Sequence, residues 1–238
     1  MASAHRAGKI SSPVYTRENR VLYAASDFPE AQDGTIQPVS SPTATPDREH
    51  LFQQVTQFAL SEAGALLSAS VPGEAGFHLQ GCRHGDWDSL FHTLPNDLDL
   101  LCVAQSLRPA ERGTMLWFCA EGDARDLLHH LLGEEIRLEV LTEMEEEALT
   151  EIGNRVINRC LEHHGQLTAG IDGAGPPRLW RERPAALGAA LPRPVDSSRA
   201  TLAELRIEHS GRRDRAWLLW CGTPWQAIKT PAVHGRVS

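Results

Sequence analysis

The stretch Ala148-Leu149-Thr150-Glu151-Ile152-Gly153-Asn154 has a counterpart earlier in the chain, Ala59-Leu60-Ser61-Glu62-Ala63-Gly64-Ala65. Self-similarity of this kind marks a duplicated structural unit and sets the frame for everything around it. Each copy lies inside a segment with helical spacing. In the first, Leu51, Val55, Phe58, Ala59, Ala65, Leu66 and Leu67 recur at three- and four-residue steps, with Asp47 placed to cap the start. In the second, Leu141, Met144, Ala148, Ile152, Val156 and Cys160 form the apolar side of a helix that starts near Thr142 and closes at Gly165.

A hairpin pattern follows each helix. Leu98 to Val103 and Gly113 to Cys119 read as two antiparallel strands joined by a polar turn over 108–112. A short helix capped by Asp123 then runs through Leu127, Leu128, Leu131 and Leu132 to a stop at Gly133. After the second long helix, residues 170–200 read mostly as loop. Thr201 to His209 and Ala216 to Cys221 form another hairpin, joined by 210–215. The predicted fold class is α+β: a pseudo-symmetric domain with two long helices packed on an antiparallel sheet. Its expected limits are 47–225, with a first half at 47–134 and a second at 135–225. They are flanked by a loosely ordered N-terminal tail at 1–46, rich in Ser, Pro and Thr, and a weakly patterned tail at 226–238.

Composition narrows the function. With 238 residues the chain can bury a real core, and a net charge of -8 gives no surface suited to nucleic-acid phosphates or anionic lipid. Five cysteines, odd in number and scattered among apolar residues, imply neither a disulfide framework nor a paired metal site. They read as buried thiols of a reducing compartment. No apolar run approaches membrane-spanning length and no signal-peptide h-region follows the first residues, so a cytoplasmic location is expected. The adjacent pairs His129-His130 and His163-His164 point to different helix faces, which argues against metal binding by either pair.

The chemistry-bearing pattern is a polar stripe on the second long helix. Glu147, Glu151, Asn154 and Asn158 are spaced by four, three and four residues and so share one face. Periodicity alone identifies this only as a solvated helix face bearing two carboxylates and two carboxamides.

These residues resemble the signature of the CheC/CheX/FliY family of chemotaxis phosphatases: Asp or Ser, three residues, Glu, two residues, Asn, twenty-two residues, then Pro. Glu151 and Asn154 have the required separation, and Pro177 stands 23 positions after Asn154. Glu147 departs from the pattern at the leading position. The segments Gly113-Thr114-Met115-Leu116, Asp126-Leu127-Leu128 and Leu131-Leu132-Gly133 are similar to the family's strand-to-helix segment. The first copy keeps Glu62 but has Ala65 for Asn, Phe58 at the leading position and Asp88 where Pro would fall, so it is expected to be catalytically dead.

The resemblance implies a phosphatase that hydrolyses the aspartyl phosphate of a CheY-like response regulator. Asn154 and Glu151 would be its catalytic pair and Glu147, Asn158 and Pro177 its supporting residues. Asn154 would hold the attacking water in line, its oxygen accepting from the water and its NH₂ serving a phosphoryl oxygen, and Glu151 would meet the receiver's lysine. Gly153 would let the receiver surface approach, or else serve helix packing. The chain would need no cofactor of its own, because Mg²⁺ belongs to the phosphorylated receiver. A CheD-like regulator and a homodimer are further partners compatible with the resemblance. The alternative reading is a non-catalytic CheC/FliM-like interaction module that binds a receiver domain or signalling partner.

Overall fold

A computed structural model describes residues 14–15, 21–22, 45–70, 73–108, 113–133, 141–167, 173–191 and 200–222. The chain divides into two units, Met1–Thr43 and Ala44–Ser238. In the first, strands β1 (Val14–Tyr15) and β2 (Val21–Leu22) pair antiparallel. The rest of the expected N-terminal tail up to residue 44, the C-terminal tail and the turn at 109–112 lie outside the described residues.

The second unit runs α1 (Thr45–Ser70), β3 (Gly76–Gly85), α2 (Trp87–His92), β4 (Leu100–Ser106), β5 (Thr114–Ala120), α3 (Glu121–Leu132), α4 (Glu143–Leu167), β6 (Arg178–Glu182), α5 (Pro184–Ala190), β7 (Ala200–His209) and β8 (Arg212–Cys221). Six strands form one antiparallel sheet in the order β3-β7-β8-β5-β4-β6. The halves meet where β5 pairs with β8, and each lends an edge strand to the other's hairpin: β3 lies on β7, and β6 lies on β4. The repeat read from the helices is therefore a repeat of whole units with exchanged edges.

Both faces of the sheet are covered. Leu101 and Val103 of β4 and Met115, Trp117 and Cys119 of β5 pack with α1, α3 and α4. The alternate residues Leu100, Cys102, Leu116 and Phe118 pack with Trp87, Leu90 and Phe91 of α2 and Leu187 of α5. Two-sided burial explains why β5 reads as an unbroken apolar run with no alternation.

Several local expectations are corrected. The first helix starts at Thr45, which leaves Asp47 inside its first turn. Helix α3 begins at Glu121 without a side-chain cap, and Asp123 instead accepts a hydrogen bond from the Arg215 N–H of β8 at 3.3 Å. Helix α4 continues through Gly165 to Leu167, and Met144, expected on its apolar side, is 58% exposed. Its start is a capping box: Thr142 Oγ1 accepts from the Glu145 N–H at 3.3 Å, and Glu145 Oε2 accepts from the Thr142 N–H at 2.5 Å. Residues 170–200 contain β6 and α5. The charges of Arg178, Arg181 and Glu182 mask an edge strand that turns only Leu179 and Trp180 inward, and Pro184 sits in the first turn of α5. The β7–β8 turn is only Ser210-Gly211, both at positive φ, so Arg212–Arg215 belong to β8.

Gly153 and Gly64 seat the two long helices. A Cβ on Gly153 would stand 2.6 Å from Val103 and 3.0 Å from Trp117, and one on Gly64 would stand 2.7 Å from the Ala75 carbonyl oxygen. Gly153 is thus a helix-packing glycine, with no role in admitting a partner surface. Polar contacts tie α1 to α4. Buried His163 meets Glu62 at 2.7 Å, and His164 bonds Thr56 Oγ1 at 2.9 Å with its ring against Phe52 and Trp220. Burial, then the neighbouring charge of His163, pushes the His164 pKa from 6.5 down to about 3.

Replacing Gly153 by Ala is expected to cost about 1–3 kcal/mol through overpacking. The same change at Gly165, where a Cβ meets nothing within 4 Å, should stabilise by about 0.5–1 kcal/mol. Denaturant melts of the two variants check the opposite signs. Below pH 6.5 the unfolded chain binds a proton at His164 that the folded chain refuses, so stability should fall as pH drops toward about 3. The slope from this one group reaches at most about 1.4 kcal/mol per pH unit. His164→Gln should flatten the acid limb of a stability–pH curve by about one proton.

Candidate functional site

Register places the stripe. On β4 the residues facing the helix layer alternate, so Gln105 follows Val103 on that face. Gly153 rests on Val103, and Asn154, the next residue of α4, reaches Gln105: Gln105 Nε2 donates to Asn154 Oδ1 at 3.0 Å. Asn154 Nδ2 donates to Glu151 Oε2 at 3.1 Å, and Asn158 Nδ2 donates to Asn154 Oδ1 at 2.7 Å. Glu151 Oε1 accepts from Arg155 Nε at 2.7 Å. Three of the sequence-derived residues thus form one hydrogen-bonded group. Glu147 is exposed one turn earlier, and among the described residues no hydrogen bond ties it in.

The group faces outward. The Glu151 side chain is 52% exposed, Asn158 is exposed, and Asn154 is half-buried at the foot of the stripe. Arg155, by its hydrogen bond, holds the Glu151 carboxyl below the usual carboxylate range against the opposing effect of partial burial, with a further contribution from Asn154. Glu151 is therefore an anion at neutral pH and poorly suited to be a proton-taking base. Asn154 departs from the expectation for its oxygen. Both lone pairs of Oδ1 are taken, one by buried Gln105 and one by exposed Asn158.

The loop that precedes Pro177 joins this group through Gly175, two residues before it. The Gly175 N–H donates to the Ser106 carbonyl at 2.7 Å, Ala174 bridges Leu107, and the Gly175 carbonyl accepts from Gln105 Nε2 at 3.0 Å. Pro176 and Pro177 follow directly and lead into β6. Each proline restricts the residue before it to extended backbone, which stiffens the segment on which Gly175 sits.

The first-half copy is built differently. Ala65 offers no polar atom, and Glu62 turns toward α4 to meet His163, whose ring Phe58 contacts edge-on at 4.9 Å. Beside Ala65 there is a cleft of about 600 Å³ lined by Ser61, Gly64, Ser68 and Ala75 among others. Asp88 falls in α2, whose buried residues pack on the other face of the sheet. The link from α1 to β3 is shorter than that from α4 to β6.

Sequence reasoning missed Gln105, Arg155 and Gly175. Arg155 four residues after Glu151 is readable as a helix ion pair. Gln105 is the one amide in an otherwise apolar buried strand, but its partner is 49 residues away. All five cysteines are free, and burial pushes the Cys82 and Cys160 thiols up to about 12. Among the described residues no group of three or more His, Cys, Asp or Glu is placed to hold a metal, and no helix is long and apolar enough to cross a membrane.

No protein-family profile matches the chain. No curated protein matches it either. Solved structures do match. FliY of Thermotoga maritima superposes with a TM-score of 0.65 at 13% identity, over 78% of this chain and 95% of that one. FliM in the FliG–FliM complex of H. pylori gives 0.56 at 13% identity, over 75% of this chain and 94% of that one. The FliM middle domain of H. pylori gives 0.53 at 14% identity, again over 75% and 94%. A six-stranded antiparallel sheet with exchanged edge strands, covered by two long helices on one face, is thus the fold this chain shares with FliY and the FliM middle domain, the CheC/CheX/FliY type.

Proposed function

We propose that the chain is a phosphatase acting on the aspartyl phosphate of a CheY-like response regulator in chemotaxis or related two-component signalling. The observation that carries this reading is the pairing of the Asn154 carboxamide with the Glu151 carboxylate, 3.1 Å apart and presented together on one accessible helix face. A second support is the fold shared with FliY.

Hydrolysis of an acyl phosphate passes through a loose transition state and rewards alignment of water over covalent help. The receiver brings its own Mg²⁺ and lysine. Asn154 supplies a fixed acceptor for the attacking water. In the free protein the second lone pair of Oδ1 is taken by the exposed Asn158 amide, so on docking the water donates there in its place. The remaining N–H of Asn154 is left for a phosphoryl oxygen. Water oxygen bonds to phosphorus as the phosphorus–oxygen bond to the receiver aspartate breaks, giving inorganic phosphate and a free carboxylate. Glu151, kept anionic by Arg155, meets the receiver lysine and fixes the register of docking. Pro177 acts through the loop, and Glu147 lies on the docking face.

FliM, one of the fold's other members, is found in a complex with FliG, and a non-catalytic interaction module is the reading that this neighbour favours. The two readings part at Asn154, because a module needs docking alone, whereas a phosphatase needs the amide.

With a phosphorylated receiver and Mg²⁺, Asn154→Ala should slow assisted dephosphorylation about 10²- to 10³-fold, the scale for losing one positioned polar group. Wild type and Asn154→Ala giving equal decay of phosphoreceiver would leave the module reading in its place. For Glu151, NMR titration of the free protein should show a carboxyl midpoint below that of an ordinary glutamate, moving upward in Arg155→Ala. An unmoved midpoint would remove Arg155 as its cause.

A further inference from the structure

We propose that Gln105 is a positioning residue that fixes which way round the Asn154 carboxamide points, under the control of the Gly175 main-chain carbonyl ahead of Pro176-Pro177. The inference rests on reading Asn154 and Glu151 as the phosphatase pair and adds a residue outside their helix.

A planar amide is nearly symmetric in shape, so an asparagine on a helix can present oxygen or nitrogen to the same point by turning over about its last bond. Water alignment needs one of the two faces. Here the choice is made by a chain of obligate partners. The Gly175 carbonyl can only accept, so the Gln105 edge that meets it at 3.0 Å must be the NH₂. The same nitrogen lies 3.0 Å from Asn154, which must answer with its oxygen. The Asn154 nitrogen is then directed to Glu151, an anion that can only accept, at 3.1 Å. Turning Gln105 over would set its oxygen against two other oxygens. Polarity fixed in the backbone of the proline loop is thus passed by two carboxamides to the carboxylate at the surface.

Two features separate Gln105 from a residue that merely packs. It is 2% exposed on a strand paired on both sides, so its position does not drift, whereas Asn158, the other donor to Asn154, is exposed and can swing away. Its own oxygen is buried and finds no hydrogen-bond donor among the described residues. A buried polar atom left unpaired is a cost that an apolar residue in an apolar strand avoids, and such costs gather where function needs a polar group held in place.

The test compares wild type with Gln105→Met, which keeps length and loses the donor, and Gln105→Glu, which keeps shape. Gln105→Met is expected to lower kcat about 10²-fold, the scale of a misplaced catalytic group, with KM within about twofold. In Gln105→Glu the buried carboxyl sits against two carbonyl oxygens and holds its proton, and its single O–H can still serve Asn154 while leaving the Gly175 carbonyl without its donor. Its kcat should fall as pH rises and the carboxyl ionises, a limb absent from wild type and from Gln105→Met. In the free protein, the side-chain amide resonances of Asn154 should shift in Gln105→Met. Wild-type kcat in Gln105→Met, a Gln105→Glu profile parallel to wild type, or unmoved Asn154 amide resonances in a folded Gln105→Met each overturn the proposal. Equal dephosphorylation by wild type and Asn154→Ala would instead defeat the phosphatase reading, and the amide resonances would still decide whether Gln105 sets Asn154.

Discussion

The site depends on how closely α4 lies on the sheet. With hydrogen in place of a side chain at Gly153, the helix backbone settles onto Val103 and Trp117, and at that separation the residues on either side of the contact come within hydrogen-bond range. A helix held even a methyl group further out would carry the same Glu151 and Asn154 but would lift the amide from Gln105. The close approach converts two surface side chains into parts of a network rooted in the sheet. Gly64 brings α1 close as well, but onto the backbone of Ala75 and Gly76 at the start of β3, and no amide follows it in the chain.

Duplication gives the fold two helix-on-sheet seats, and the two have diverged in what their polar residues do. In the second half Glu151 stays at the surface among exchangeable partners. In the first half Glu62 has become part of the joint between the long helices, bonded to a histidine that belongs to the other half. The same carboxylate at the same place in the repeat is a surface charge in one case and structural glue in the other.

Much of this was legible in the sequence, and the limits have physical causes. The long helices announced themselves because their apolar positions recur over many turns. The hairpins β4–β5 and β7–β8 did so because β-branched, aromatic and leucine residues are bounded by turn chemistry. The polar stripe was legible because side chains three and four apart on a helix must share a face. Strand β6 and helix α5 were not, because a five-residue edge strand with three charged residues has neither the length nor the composition that marks a buried strand. Asp123 looked like a cap because an aspartate near a helix start commonly is one, but a backbone N–H on β8 took its carboxylate. The role of Gln105 was out of reach since its partners are supplied by tertiary contact, one from α4 and one from the loop ahead of β6.

The exchanged edge strands bear on how such a chain is made. As it leaves the ribosome, β3 has no neighbour until β7 is synthesised, and β4 keeps one bare edge until β6 arrives. The nascent first half therefore carries three open strand edges that only the later half can close, those of β3, of β4 and of β5, which waits for β8, a long-range dependence that slows folding and invites pairing with other chains. A first half without its second would leave those edges bare, so the strand exchange ties the soundness of each half to the presence of the other.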